Sequence, residues 1–244
     1  MQTWKTHIVP DKWKSSPESV RKYMPQWKYF LMSDEENRQF CQQYFPDFLD
    51  VYDNLEFPIM RADAIRYMWL YINGGIYMDL DDVLVHPLDD LFTSDADAYF
   101  VKSGNSSWIY TNSFLASKPG CPIWLECIEA MKKKYRWWMI GKHLKIMYTT
   151  GPSMLHKVLK ETKHPFATLP THLINPCSIC DSPCLAEDSY VLPLEGRSWC
   201  GWDTLAGGFI MCKWKKIVLV ISIILVVLII WLIIKRSRRY RGPK

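Results

Sequence analysis

Near its C-terminus the chain carries an apolar run, Ile217 to Ile234, of 18 positions without a charge. At about 1.5 Å of rise per residue, a helix of that length crosses the hydrocarbon of a bilayer. A helix on the surface of a globular protein keeps a polar face, and this run has none. It is therefore read as a transmembrane helix, and it divides the chain into a folded domain at 1–212, a basic juxtamembrane linker at 213–216, the helix at 217–234 and a basic tail at 235–244. About 210 residues ahead of the helix are enough for one sizeable core.

The net charge of +5 conceals two opposite balances. Residues 213–244 carry nine Lys or Arg and no acid, which leaves 21 bases against 25 acids in 1–212. A folded domain that binds nucleic acid carries a basic footprint, whereas here the basic residues crowd the membrane segment, where anionic head groups lie. Nucleic acid is set aside as the main partner. Lys235, Arg236, Arg238, Arg239, Arg241 and Lys244 after the run outnumber Lys213, Lys215 and Lys216 before it, which favours a cytoplasmic C-terminus. Against that, Met1 leads straight into Gln-Thr-Trp-Lys with no apolar leader. A C-terminal anchor with the domain on the cytosolic side is the resulting expectation.

Alternating apolar stretches and Pro, Asp and Ser turns predict an α/β domain. Tyr29 to Met32 read as a buried strand, and Ser33 with Glu36 forms a capping-box pattern that opens a helix through about Tyr44. In "RADAIRYMWLYINGG", Ala62, Ile65, Trp69 and Ile72 fall at helical spacing and the pattern stops at Gly74 and Gly75. "IYMDLDDVLV" follows as a strand whose acids emerge at a cleft. "DAYFVKS" and "NSFLASKP" read as strands, "CPIWLECIEAMKKKY" as an amphipathic helix, and "TGPSMLHKVLKETK" as a turn into another helix. Pro170 to Trp202 read as irregular.

Asp79 and Asp81 lie two apart, so on an extended backbone their carboxylates share a face and converge on one hard cation. Mg²⁺ or Mn²⁺ held by one or two carboxylates keeps positions open for phosphate oxygens. Asp63 and Arg66 stand one helical turn apart just upstream; by spacing alone they are equally a surface ion pair worth roughly 0 to 1 kcal/mol.

These residues sit in an ordered set of blocks: "QTWK", "RADAIRYMWLYINGGIYMDLD", "TNSFLASKPGCPIW", "TTGPSML" and "GRSW". The set resembles the retaining, DXD-containing glycosyltransferases of GT-A fold that include yeast initiating mannosyltransferases and inositol phosphoceramide mannosyltransferases, with the glucosylating clostridial toxins more distant. The resemblance implies a Rossmann-like domain with a mostly parallel central sheet flanked by helices, and transfer of a hexose from a UDP- or GDP-linked donor to a glycan, lipid or protein acceptor. It further implies that Trp4 stacks on the nucleotide base, that Asp63 and Arg66 hold donor hydroxyls or phosphate, and that Tyr77 lines the same pocket. Asp79 would face the sugar or a metal-bound water, Asp81 would hold Mn²⁺ or Mg²⁺, Asn112 would sit near the sugar, and Ser198 and Trp199 would close over the diphosphate. Arg66 and the ion would stabilise the departing diphosphate. Many such enzymes add a His ligand near the C-terminal block. "YVLPLEGRSW" has none, which leaves Glu195, His172 and Asp203 as candidates for a third ligand.

The competing readings are a catalytically silent nucleotide-sugar-binding membrane protein, against which the intact Asp79-Leu80-Asp81 weighs, and a metal-dependent phosphoryl-transfer enzyme or nuclease, for which the chain offers too few acidic motifs and no basic groove. Cys177, Cys180 and Cys184, with the spacing of "CSICDSPC", fit disulfides, a structural Zn²⁺ site or free thiols.

Overall fold

The computed structural model describes residues 1–240 except 105, 134–138, 179, 182, 183, 185 and 197. Its framework is a set of short strands stacked beside one long buried helix. Strand β1 (Gln2–Thr3) lies parallel to β2 (Leu31–Met32). The Met1 backbone N–H donates to Ile76 O at 2.7 Å, and Met1 O accepts from Met78 N at 3.3 Å. Those bonds set β1 alongside β3 (Gly75–Met78), which pairs antiparallel with β6 (Ser106–Ser117). β6 also runs antiparallel to β5 (Ala98–Ser103), and β5 is parallel to β7 (Ala167–Leu169). The sheet is thus mixed, with β6 running against both neighbours. A separate ribbon pairs β4 (Asp82–Leu84) with β8 (Val191–Pro193), Asp82 opposite Pro193.

Helices α1 (Ser15–Tyr23), α2 (Asp34–Tyr44), α3 (Leu49–Asp53) and α4 (Pro58–Asn73) alternate with the early strands, and α5 (Pro122–Met131), α6 (Gly141–Thr149), α7 (Pro152–Glu161) and the short α8 (Thr171–Ile174) follow β6. The capping box is present: Ser33 Oγ accepts from the Glu36 backbone N–H, and the Glu36 carboxylate accepts from the Ser33 backbone N–H at 2.8 Å. α4 opens on a proline and ends at Gly74, whose φ is 63° and where a Cβ would lie 2.6 Å from Pro119 N, so only glycine fits the stop. The expected helix in "CPIWLECIEAMKKKY" ends at Met131; Lys134 and Tyr135 lie outside the described residues.

α4 differs from the stripe its spacing suggested. Ala62 and Ile72 are half-buried, whereas Ala64, Tyr67, Met68 and Leu70 are sealed and so are Asp63 and Arg66. The helix is packed on most of its circumference, against α5 and β3 among others, and its polar pair points inward. Burial of β5 is equally two-sided at Ala98, Phe100 and Val101, as befits an inner strand.

Residues 1–201 form one unit, and α9 (Trp202–Tyr240) belongs to a second. Two readings change. The segment Pro170–Trp202 contains α8 and β8 as well as irregular backbone. The zinc reading of Cys177, Cys180 and Cys184 gives way to disulfides: Cys177 is bonded to Cys184 and Cys180 is disulfide-bonded as well, which takes all three sulfurs out of thiolate chemistry. Within α9, Trp202–Lys235 is long and apolar enough to cross a membrane, with a mean hydropathy of 3.7 in its most apolar window and none of that window buried. Residues 241–244 of the basic tail lie outside the described residues.

Candidate active site

The acids sit where β3 ends. Asp79, Leu80 and Asp81 form a tight turn rather than extended backbone, with Asp82 N donating to Asp79 O at 3.2 Å, and the turn gathers the carboxylates that strand alternation was expected to align. Asp79 is fixed from both sides of its peptide: its N–H donates to Ser113 O at 2.8 Å, and its carbonyl accepts from Gln2 Nε2 at 3.2 Å. β1 and β6 thereby hold the first acid, which is why the "QTWK" and "TNSF" blocks matter structurally.

Beneath the turn lies a buried polar cluster. Arg66, 2% exposed, donates from Nη2 to Asp63 Oδ1 at 3.0 Å and from Nη1 to Asp79 Oδ1 at 3.1 Å and Asn112 O at 2.6 Å. Its Nε reaches Ala62 O at 3.3 Å, and the guanidinium lies 4.3 Å from the centre of the Tyr77 ring. Asp63 is satisfied further by Asn112 Nδ2 at 2.9 Å and Thr150 Oγ1 at 2.8 Å. The Tyr67 hydroxyl donates to Thr150 O at 2.8 Å, and the Tyr77 hydroxyl donates to Asp79 Oδ1 at 2.6 Å. Burial works to discharge the guanidinium, but Tyr77, Asp79 and Asp63 outweigh it and raise the Arg66 pKa. Burial pushes the Asp63 carboxyl up, opposed by Arg66 and Thr150.

The far side of the turn is different. Asp81 has no hydrogen-bonded side-chain partner among the described residues; burial, then the Asp79 charge, push its pKa up to about 6. Burial, then Asp81 and Asp79, also raise Asp82 well above the usual carboxylate range. The Asp81 carbonyl accepts from Leu194 N at 2.7 Å, which brings the chain after β8 over the acids. There a Cβ on Gly196 would overlap Asp81 Oδ2, so any side chain at 196 would force the Asp81 carboxylate to shift. Trp13 anchors the same stretch by donating from Nε1 to Glu195 O at 2.7 Å, and the Trp4 ring meets Trp13 edge-on at 5.0 Å.

Arg66, Tyr77, Asp79 and Asp81 line one cavity of about 210 Å³ together with Trp4, Ser198 and Trp199. Asp63 and Asn112 are not in its wall: they stand behind Arg66. A larger cavity of about 660 Å³, walled by Val20, Met24, Trp69, Met78, Leu84 and Tyr99, contains neither Asp79 nor Asp81. Size favours the larger one, but only the smaller gathers paired acids, cations and aromatic rings. Sequence reading missed Gln2, Tyr67, Thr150, Gly196 and Lys142; the first four fall inside the quoted blocks, while Lys142 carries no local signal.

The donor set suits a hard divalent cation. Asp79 Oδ2 and the Asp81 carboxylate lack side-chain hydrogen-bond partners among the described residues, and oxygen ligands from one or two carboxylates are what Mg²⁺ and Mn²⁺ take beside phosphates. No third His, Cys, Asp or Glu joins them among the described residues.

Residues 10–112 match the family described as glycosyltransferase sugar-binding region containing DXD motif. It is similar to mannosyl phosphorylinositol ceramide synthase SUR1 of Saccharomyces cerevisiae, with 35% identity over 162 residues covering 66% of this chain and 41% of that protein. To inositol phosphoceramide mannosyltransferase 2 of Schizosaccharomyces pombe it is 32% identical over 200 residues, 81% of this chain and 56% of the relative. The chain thus spans about half the length of these relatives. Among solved structures, PaToxG Glycosyltransferase shares the fold with a TM-score of 0.50 and 16% identity, covering 66% of each chain.

Proposed function

We propose that the chain is a membrane-anchored, metal-dependent retaining glycosyltransferase that moves a hexose from a nucleoside diphosphate sugar to an acceptor hydroxyl. The observation that carries this reading is the convergence of Asp79, Asp81, Arg66, Trp4 and Trp199 on one cavity of about 210 Å³. The names of the relatives support mannose as the sugar and an inositol phosphoceramide as acceptor, and a helix able to span a membrane suits a lipid acceptor.

In this reading Trp4 stacks on the base, and Ser198 and Trp199 close over the diphosphate. Asp79 and Asp81 hold Mn²⁺ or Mg²⁺, which supplies Lewis-acid stabilisation of the leaving diphosphate. Arg66 acts one step back from the reacting atoms: with its donors engaged by Asp63, Asp79, Asn112 and Ala62, it fixes the Asp79 carboxylate and neutralises the charge beneath it. Tyr77 orients the same carboxylate through its hydroxyl. Asp63 and Asn112 keep Arg66 in place. Because these groups are set before substrate arrives, little reorganisation is needed as negative charge grows on the diphosphate.

For membrane orientation, the Cys177–Cys184 disulfide supports the side opposite to the cytosolic one expected from the sequence. Disulfides persist in oxidising compartments, and the basic excess after the apolar run favours a cytosolic tail. We place residues 1–201 on the oxidising side, a proposal that protease protection of sealed microsomes tests directly.

The activity test is incubation of the full chain in detergent micelles with Mn²⁺ and a panel of GDP- and UDP-sugars, beside an Asp79→Ala, Asp81→Ala double variant. Metal-dependent release of nucleoside diphosphate from one donor, lost in the variant, is the expected result. Equal release by the variant overturns the reading.

A further inference from the structure

A nucleoside diphosphate brings two or more negative charges into a cavity whose walls already carry Asp34, Asp79 and Asp81. Some cation of the protein has to meet them alongside the metal. Arg66 is the obvious choice, but it is 2% exposed, two carboxylates neutralise it, and each of its three nitrogens is directed at a protein oxygen.

Two other cations line the cavity, Lys5 and Lys142. Lys5 is exposed and its ammonium lies 5.6 Å from the centre of the Trp4 ring, at the end of the cavity given to the base. Lys142 is half-buried in the first turn of α6, its ammonium 5.4 Å from the Phe57 ring centre, and among the described residues no carboxylate pairs with it. The neighbouring His143 stacks on Trp199 at 5.8 Å with the rings 13° apart, which pins the start of α6 beside Ser198 and Trp199. The other lysine at the cavity-facing end of α6, Lys145, is paired with Glu56 at 2.7 Å. One lysine of the helix is thus matched by an acid and the other faces the cavity without one.

We propose that Lys142 is the protein's cationic contact for the diphosphate of the donor, working across the cavity from the Asp79–Asp81 pair; this rests on the donor reading above. An ammonium with three rotatable donors, held 5.4 Å from the centre of the Phe57 ring, suits a phosphate group whose position shifts as the sugar leaves. The residue carries no motif because its place in the cavity depends on how α6 packs, not on its sequence neighbours.

The test is calorimetric titration of the full chain in detergent micelles, with Mn²⁺ present, using GDP and UDP as probes. Lys142→Ala should weaken the bound nucleoside diphosphate by roughly tenfold to a hundredfold, the range of a hydrogen bond to a charged group. Lys142→Arg should recover most of that loss, and Lys145→Ala should leave affinity unchanged, with all three melting at the wild-type temperature. Full affinity in Lys142→Ala overturns the proposal and leaves the donor reading standing. Equal losses in the Ala and Arg variants also overturn it, because position rather than charge would then matter. A wild-type protein that binds neither GDP nor UDP removes the donor reading and the proposal with it.

Discussion

Asp63 and Asp81 are two acids withdrawn from bulk water on either side of the same arginine, and the protein treats them in opposite ways. Asp63 receives Arg66, Asn112 and Thr150, whereas Asp81 receives no side chain among the described residues. A buried charge whose every lone pair is met by a donor holds a structure in one arrangement. One left unmet beside a second carboxylate opposes folding and is tolerated where a bound cation completes it. In the proposed function the compensated half is scaffold and the uncompensated half is chemistry.

Removing Asp63 is the sharpest way to break that division. Asp63→Ala removes one of the two carboxylates that neutralise the buried Arg66 and takes from Asn112 Nδ2 and Thr150 Oγ1 the carboxylate they donate to, and denaturant unfolding should show a loss of roughly 3–5 kcal/mol. Asp81→Asn should do the reverse: transfer falls by roughly a hundredfold to a thousandfold, the scale of losing a preorganised electrostatic group. Its stability should hold or rise at neutral pH. The sign follows from the raised pKa: burial pushes folded Asp81 up to about 6, above the ordinary carboxylate range of the unfolded chain, so its ionisation at neutral pH works against the fold, and Asn never ionises. If Asp81→Asn melts as early as Asp63→Ala, the two acids are not differently employed.

Smaller changes refine the comparison. Thr150→Val leaves Asp63 Oδ2 without its donor and should lower stability by about 2 kcal/mol, with activity per folded molecule nearly unchanged. Tyr77→Phe removes the hydroxyl from Asp79 Oδ1; about a tenfold fall in kcat, with KM for the donor little altered, is the outcome that assigns Tyr77 to orientation of the acid.

Much of this was legible in the amino-acid string. Ser33 and Glu36 announce α2, Gly74 ends α4, and Asp79 and Asp81 mark the cavity. What local patterns left out is what packing decides. Asp63 and Arg66, by spacing alone, fit a surface pair as well as a buried one, and only the burial of α4 on most of its circumference resolves that. The acids converge through a turn closed by Asp82, which alternation along a strand does not reveal. Thr150, Gly196 and Lys142 reach the site from distant parts of the chain, and no window of neighbouring residues contains the information that joins them to Asp63, Asp81 and the cavity.

The pairing of β4 with β8, and the seating of Gly196 on Asp81, also order events at the ribosome. Asp79 and Asp81 emerge early in synthesis, yet the wall that shapes the space above them is translated more than a hundred residues later, just before the apolar helix. A nascent or prematurely terminated chain therefore displays the acids without the chamber that gives them a use, and the activity is withheld until almost the whole of the first unit has been made.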